Sequence, residues 1–353
     1  MLGLGNSSMG GLDMDDKELI RIQQKIIPEV LEMMELRYEL LSYIRAHQPI
    51  GRRNLANELS LGERQVRNEV EFFNKQNFVL VERQGISLTS SGEQILGQLK
   101  EVMYHYKNLE DLIEKLRDKL GIKKVFIIPG DSQKNKTILE FMGKTAANYT
   151  ISILKNHSII AVTGGSGVAA VARNFPEVHY PNITVLSARG GIGRSHSTQA
   201  NSIVSMIGNK LDAQQEVLHL PDNIDKDILN VLRETPDIKD VFCKFNDIDI
   251  LIQGIGRADV MAQWRNLPQD VIKHLKDKNA VAETFGHFIN ENGQIVCPSS
   301  NVGINIDQYL KIPTVVAIAG GKDKAIAIKA TCNVRRDLIL ITDESAANEI
   351  INN

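Results

Sequence analysis

Residues 159–172 read IIAVTGGSGVAAVA, and the reading of this stretch decides the fold. A run of β-branched and small apolar residues gives way to Gly164, Gly165 and Gly167 around Ser166, and then to a helix-forming Ala/Val run. The order strand, sharp glycine turn, helix is the repeating unit of a parallel α/β sheet. Such a turn aims bare backbone N–H groups and the positive end of a helix at whatever lies in front of it, which suits an anion.

Working outward, the apolar runs KKVFIIPG, SIIAVTGG, ITVLSARGG, EVLHLP, DIDILIQGIG, AVAETFGHF and TVVAIAGG follow one another from Ile122 on, mostly with helical segments between them. This predicts a mainly parallel, doubly wound sheet over residues 122–353. Several runs end in glycine: Gly164-Gly165, Gly190-Gly191, Gly254 with Gly256, and Gly320-Gly321. In open α/β sheets the ligand crevice lies beyond the carboxyl ends of the strands. One glycine taken singly also fits an ordinary strand-to-helix turn. The charges beside them favour a site: Arg189 after the third run, Arg257 and Arg265 after the fifth, Lys322 and Lys324 after the last. Helix N-termini with several cations at one edge predict an anion site with room for more than one phosphate.

Chemistry on that anion would need a placed acid or base. Glu283 in AETFG is the best candidate, while Asp247 and Asp249 fit the turn into their strand. His196, His219, His274 and His287 show no pairing pattern, and Ser166 has no evident partner. No GxSxG, GxGxxG or P-loop motif is present. Anion donors, one carboxylate able to accept sugar hydroxyls, and no acid–base pair describe a binder without catalytic residues. Two other readings stay open: a sugar-phosphate isomerase or deaminase fused to a DNA-binding module, and a redox repressor holding a dinucleotide.

The first part of the chain carries a different pattern. The run VLEMMELRYELLSYIRA is helical, with Val30, Met33, Met34, Leu40, Leu41 and Ile44 at three- and four-residue spacings. RRNLANEL is a second helix, SLG a tight turn, and ERQVRNEVEFFNKQ a third helix that buries Val66, Val70 and Phe73. FVLVERQGISLT alternates like a hairpin around Arg83-Gln84-Gly85. Three helices and a two-stranded wing over 19–90 predict a winged helix-turn-helix. Arg64, Gln65, Arg67 and Asn68 are left outward on the third helix, and their types pair bidentately with guanine and adenine edges. Arg52 and Arg53 open the second helix, where they can grip phosphate. Glu58, Glu63 and Glu69 offset part of that charge, as on a solvated helix face.

Between these parts, residues 91–121 predict one long helix capped by Thr89 or Ser90. Ile95, Leu99, Val102, Tyr106, Leu109, Ile113, Leu116 and Leu120 alternate at spacings of 4 and 3, the pattern of a coiled-coil seam and hence of a homo-oligomer. A helix packed on its own C-terminal domain is the alternative. Residues 1–18 read as a disordered tail without signal-peptide features. In a chain of 353 residues, 42% apolar and 5% aromatic, no apolar run is long enough to span a bilayer. Cys243, Cys297 and Cys332 are far apart, without the CxxC spacing of a metal site, which fits a reducing, cytoplasmic setting. A net charge of −2 excludes a chain-wide basic footprint but not a local one.

The stretches GRRNLANELSLGERQVRNEVEFF, AVTGG, ARGGIG, GIGRADVMAQWRN, AETFG and AIAGGKDKAIAI, in this order, carry a resemblance. From about Ile20 the chain resembles the SorC/DeoR-type bacterial repressors, and among them the glycolytic regulators. The resemblance implies a winged helix-turn-helix joined to a sugar-phosphate-binding domain related to isomerases, deaminases and CoA transferases. It implies repression of a glycolytic operon, fructose 1,6-bisphosphate as inducer, operator DNA as partner and no cofactor. It also implies a binding site at Gly164, Gly165, Ser166, Gly167, Arg189, Gln199, Arg265, Glu283 and Lys324. Gln199 enters by resemblance alone. Two positions depart from the family pattern: Gly167 stands where a second hydroxyl residue follows the loop glycines, and Trp264-Arg265 stands where the family has a basic pair.

Overall fold

The computed structural model describes residues 26–107, 109–191, 196–221, 224, 226–297 and 302–353. The expected tail at 1–18 lies outside them. The chain divides into two compact units, Met1–Asn108 and Leu109–Asn353.

The first unit contains α1 (Pro28–His47), α2 (Arg52–Glu58), α3 (Glu63–Lys75), β1 (Val79–Glu82), β2 (Gly85–Leu88) and α4 (Ser90–Tyr106). Val66, Val70 and Phe73 are buried along one face of α3 at i, i+4 and i+7. An ion pair of 2.9 Å from Arg37 to Glu69, with the Arg37 guanidinium 3.9 Å over the Phe72 ring, ties α3 to α1. β1 and β2 pair antiparallel from Val79↔Leu88 to Glu82↔Gly85, leaving Arg83 and Gln84 as the loop. Ile50 bridges Ile86 beside them, and at Gly85 (φ +141°) a Cβ would fall 2.8 Å from the Ile50 nitrogen, so only glycine fits. The unit is the expected winged helix-turn-helix.

The second unit runs α5 (Leu109–Leu120), β3 (Lys124–Ile128), α6 (Lys136–Ile153), β4 (Ile159–Val162), α7 (Ser166–Asn174), β5 (Thr184–Ser187), α8 (Ala200–Leu211), β6 (Gln214–Glu216), α9 (Lys226–Leu232) and α10 (Pro236–Lys244). It continues through β7 (Ile250–Gly254), β8 (Gly256–Arg257), α11 (Ala258–Trp264), α12 (Gln269–Asp277), β9 (Ala280–Thr284), β10 (His287–Asn290), β11 (Ile295–Cys297), α13 (Ile306–Lys311), β12 (Thr314–Ile318), α14 (Ala325–Val334), β13 (Ile339–Asp343) and α15 (Glu344–Asn352). Seven strands form one parallel sheet in the order β3-β13-β12-β7-β4-β5-β6. From β4 the chain winds one way through β5 and β6, then returns to β7 on the other side. The switch point therefore lies between the carboxyl ends of β4 and β7, where ligands bind in such sheets.

Two expectations are corrected. AVAETFGHF is not a strand of the parallel sheet: it supplies β9 and the start of β10 in a separate antiparallel sheet ordered β11-β10-β9-β8. That sheet has its own small core, with Ala258, Ala262 and Leu275 from α11 and α12 packed on Phe288. The parallel sheet instead includes β13, between β3 and β12, a strand the sequence reading did not name. The connector at 91–121 is also not one helix. α4 ends at Tyr106, α5 starts at Leu109, and the boundary between the units falls there. Leu109, Leu116 and Leu120 are buried inside the second unit, where α5 packs on α15, β3 and α14. The reason is local: β3 begins four residues after α5, so the helix covers the sheet it leads into. On α4 the buried residues are Leu96 and Met103, facing α1 and β2, while Ile95 and Leu99 are half-buried and Val102 is exposed.

Candidate functional site

The described residues enclose a cavity of about 380 Å³ at the switch point. Gly164, Gly165, Ser166, Gly167, Arg189, Gln199, Glu283 and Lys324 all line it, together with Thr163, Thr198 and Gly254. Its first wall is the β4–α7 turn. The Gly165 N–H donates to the Thr198 carbonyl at 2.8 Å, and a Cβ on Gly164 would sit 2.9 Å from that same oxygen. Gly165 at φ +120° turns the chain into α7, which has no side-chain cap. The first-turn N–H groups therefore have no intrahelical acceptor and carry the positive end of the helix dipole. Gly167 packs against β12, where a Cβ would lie 3.1 Å from the Ile318 side chain. A hydroxyl-bearing residue at 167 would crowd that strand, which gives the departure at this position a packing reason.

The second wall is ionic. Glu283 is buried, and its Oε1 accepts from Arg189 at 3.2 Å, from the Gly286 N–H at 3.0 Å and from Arg265. Both guanidinium groups are buried with it. Two guanidinium groups meeting on one carboxylate put charged donors into this wall, the kind of group that binds an anion. Arg265 does not itself line the cavity. It lies behind the wall on Glu283, with its guanidinium 5.6 Å from the Phe288 ring centroid, and the cavity-lining neighbour is Trp264. Two further cations of the sequence reading also stand elsewhere: Arg257 pairs with Asp259 at 2.6 Å and Asp323 at 3.2 Å, and Lys322 is exposed.

Lys324 closes the third side. Its side chain is half-buried and makes no hydrogen bond or ion pair among the described residues, and desolvation lowers its pKa against the opposing pull of Asp323 and Asp343. Its loop is held by Asp343, which is fully buried. One Asp343 oxygen accepts from the Gly321 N–H at 2.8 Å and from the Ser132 N–H and hydroxyl at 2.8 and 2.5 Å. A Cβ on Gly320 would fall 2.5 Å from that oxygen, so the loop needs glycine there. Asp343 escaped the sequence reading because its partners come from loops more than 20 residues away.

The remaining wall is apolar: Ile255, Val260, Met261, Trp264, Phe285 and Ile318. Phe285 and Gly286 form the two-residue turn between β9 and β10, both with positive φ (37° and 96°). The Phe285 ring stacks on Tyr309 at 3.8 Å, which holds a bulky residue in a conformation it rarely adopts. Asp249 takes the structural role expected of it, accepting from the Ile159 N–H at 2.8 Å.

In the first unit, Arg52, Arg53, Arg64, Gln65, Arg67 and Asn68 are all exposed. Among the described residues only the Arg53 side chain of this set has a partner, Glu63 at 4.0 Å, and both side chains of that pair are open to water. The outward face of α3 is thus a set of uncommitted donors. Among the described residues there is no cluster able to hold a metal, and no helix is long and apolar enough to cross a membrane.

Comparisons with known proteins agree with both halves. Residues 33–103 match the CggR N-terminal DNA-binding domain, and residues 104–352 match the Sugar-bind family of sugar-binding domains. The chain is 37% identical over 341 residues to the central glycolytic genes regulator of Priestia megaterium, covering 95% of this chain and 98% of that one. It is 35% identical to the Bacillus subtilis protein of the same name, with the same coverage. Among solved structures, a SorC family transcriptional regulator from Enterococcus faecalis superposes with a TM-score of 0.64 at 36% identity, over 68% of this chain and 99% of that one. The full-length sorbitol operon regulator SorC from Klebsiella pneumoniae shares the fold over 96% of this chain and 99% of its own, with a TM-score of 0.66 at 17% identity.

Proposed function

The chain belongs to the SorC-type transcriptional regulators that join a CggR-type DNA-binding domain to a sugar-binding domain and act on glycolytic genes, and from that premise we propose that it is a repressor released from its operator by a phosphosugar, with fructose 1,6-bisphosphate as the effector. The cavity at the switch point carries this reading: an uncapped helix N-terminus, a half-buried lysine whose side chain has no partner among the described residues, and an Arg–Glu–Arg wall converge on one space of about 380 Å³. One phosphate sits on the first turn of α7 with Lys324. The second lies toward Arg189, with Arg265 and Glu283 behind it. Glu283 offers its remaining lone pairs to sugar hydroxyls.

Glu283 is the one carboxylate among the described residues that line the cavity, with no histidine or second acid there to complete an acid–base pair for turnover. The sugar is sensed and left intact. Arg64, Gln65, Arg67 and Asn68 read base edges, and Arg52 and Arg53 hold phosphates. The protein works in the cytoplasm as a homo-oligomer. The half-open apolar stripe of Ile95, Leu99 and Val102 on α4 is available for self-association.

The test is calorimetry with fructose 1,6-bisphosphate and fructose 6-phosphate, backed by thermal shift. A ligand at 100 times its Kd adds about 2.7 kcal/mol of stability. Tighter binding of the bisphosphate supports the assignment. Equal affinities would rename the effector, and turnover of either sugar would move the protein to the enzyme class.

A further inference from the structure

Helix α11 gives the cavity Val260, Met261 and Trp264. Met261 is anchored in the small core of the antiparallel sheet. Val260 and Trp264 are not anchored: they line the cavity yet remain 49% and 46% exposed. Four residues apart, they share one face of the helix. The next residue, Arg265, turns inward to Glu283. At this corner the charge therefore points into the protein, and an indole faces the ligand space. Trp264 is the single tryptophan of the chain.

A sugar phosphate has two chemically distinct parts. Its phosphates are matched by the α7 N-terminus, Lys324 and the arginine wall. Its carbon skeleton presents a C–H face that gains from contact with an aromatic surface. Among the described residues of the lining nothing else supplies such a surface, because Phe285, the other aromatic, is already stacked on Tyr309 and buried.

We propose that Trp264 is a ligand-contacting, specificity-setting residue: its indole, with Val260, packs on the carbon skeleton of the bound sugar phosphate and closes this side of the site without a cation. The inference rests on the phosphosugar reading above. It makes the α11 wall respond to the skeleton of the sugar and not to its number of phosphates.

The experiment is a fluorescence titration of the full chain, in which the one tryptophan reports this position alone. Fructose 6-phosphate and fructose 1,6-bisphosphate are each expected to change the emission. Inorganic phosphate fills the anion subsite without a skeleton, so it should compete with both sugars while leaving the emission unchanged. By calorimetry, Trp264→Ala should weaken both sugars by the same factor, roughly tenfold, with operator binding retained. Trp264→Phe should recover most of the loss, and Trp264→Arg should shift the preference toward the bisphosphate. Unchanged affinities in Trp264→Ala, an emission change with phosphate alone, or emission that follows protein concentration and not sugar would each overturn the proposal. If calorimetry shows neither sugar binding the wild-type chain, the effector reading falls and this inference with it. If sugars bind and Trp264 is indifferent, the inference falls alone.

Discussion

A lysine side chain held partly away from water without a partner is costly, and a protein keeps one where a ligand completes it. Lys324 is in that position, its pKa lowered chiefly by burial. Lys324→Met is therefore expected to stabilise the ligand-free protein by on the order of 1 kcal/mol, while abolishing the stabilisation that the sugar phosphate confers. Thermal unfolding with and without sugar reads both effects, and a variant that loses stability while keeping the sugar shift would remove Lys324 from the site. His287 makes a second residue-scale case. Burial lowers its pKa most; the Phe285 backbone and Glu283 push it up, and Arg189 and Arg265 push it down. The unfolded chain, with an imidazole pKa of about 6.5, then binds more protons than the native state just below that value. Stability should fall as pH drops through about 6.5 and level off below the native pKa. His287→Gln should flatten this slope in urea unfolding followed across pH.

At the scale of elements, two helices make opposite predictions. The outward face of α3 carries uncommitted donors, so Arg64→Ala or Arg67→Ala should lose about 1–3 kcal/mol of discrimination between operator and random DNA. Arg52→Ala should instead weaken all duplexes alike, and equal discrimination by wild type and both α3 variants would mean that another element reads the bases. The interior face of α5 is structural: Leu116→Ala should cost about 2–5 kcal/mol of stability in the second unit with no change in assembly state, as ultracentrifugation would show. These helices also show what was legible in the sequence. The winged domain could be read because its contacts are local, Val66, Val70 and Phe73 recurring within one helix beside a short hairpin. The α4–α5 seam was misread because spacings of 3 and 4 mark any amphipathic helix and do not say what covers it. On α4 the covered residues turned out to be Leu96 and Met103, one position along from the expected stripe. The glycine turns pointed to the strand ends, and that is where the cavity lies. The Arg–Glu–Arg wall was not readable, because Arg189 and Glu283 are 94 residues apart and only the fold joins them.

For the whole molecule, the question is how filling a cavity in the second unit changes DNA binding by the first. The answer is set by differential affinity: a sugar can release the operator only if it binds the released state more tightly than the DNA-bound one. An effector of equal affinity for both states would leave the regulator on its operator however tightly it bound. Reciprocity then fixes the converse, since the factor by which sugar weakens operator binding is the factor by which operator weakens sugar binding. For a coupling of typical size that factor is roughly 5- to 150-fold. Calorimetric titration of the full chain with the sugar phosphate, in the presence and absence of saturating operator duplex, is expected to show the loss of affinity with operator. A random duplex at the same salt, held mainly through phosphate contacts, should produce less of it. Lys324→Met should keep operator binding and lose the response. Equal sugar affinity with and without operator would mean that the two units are thermodynamically independent, and the sugar would then be a stabilising ligand of the second unit instead of an inducer.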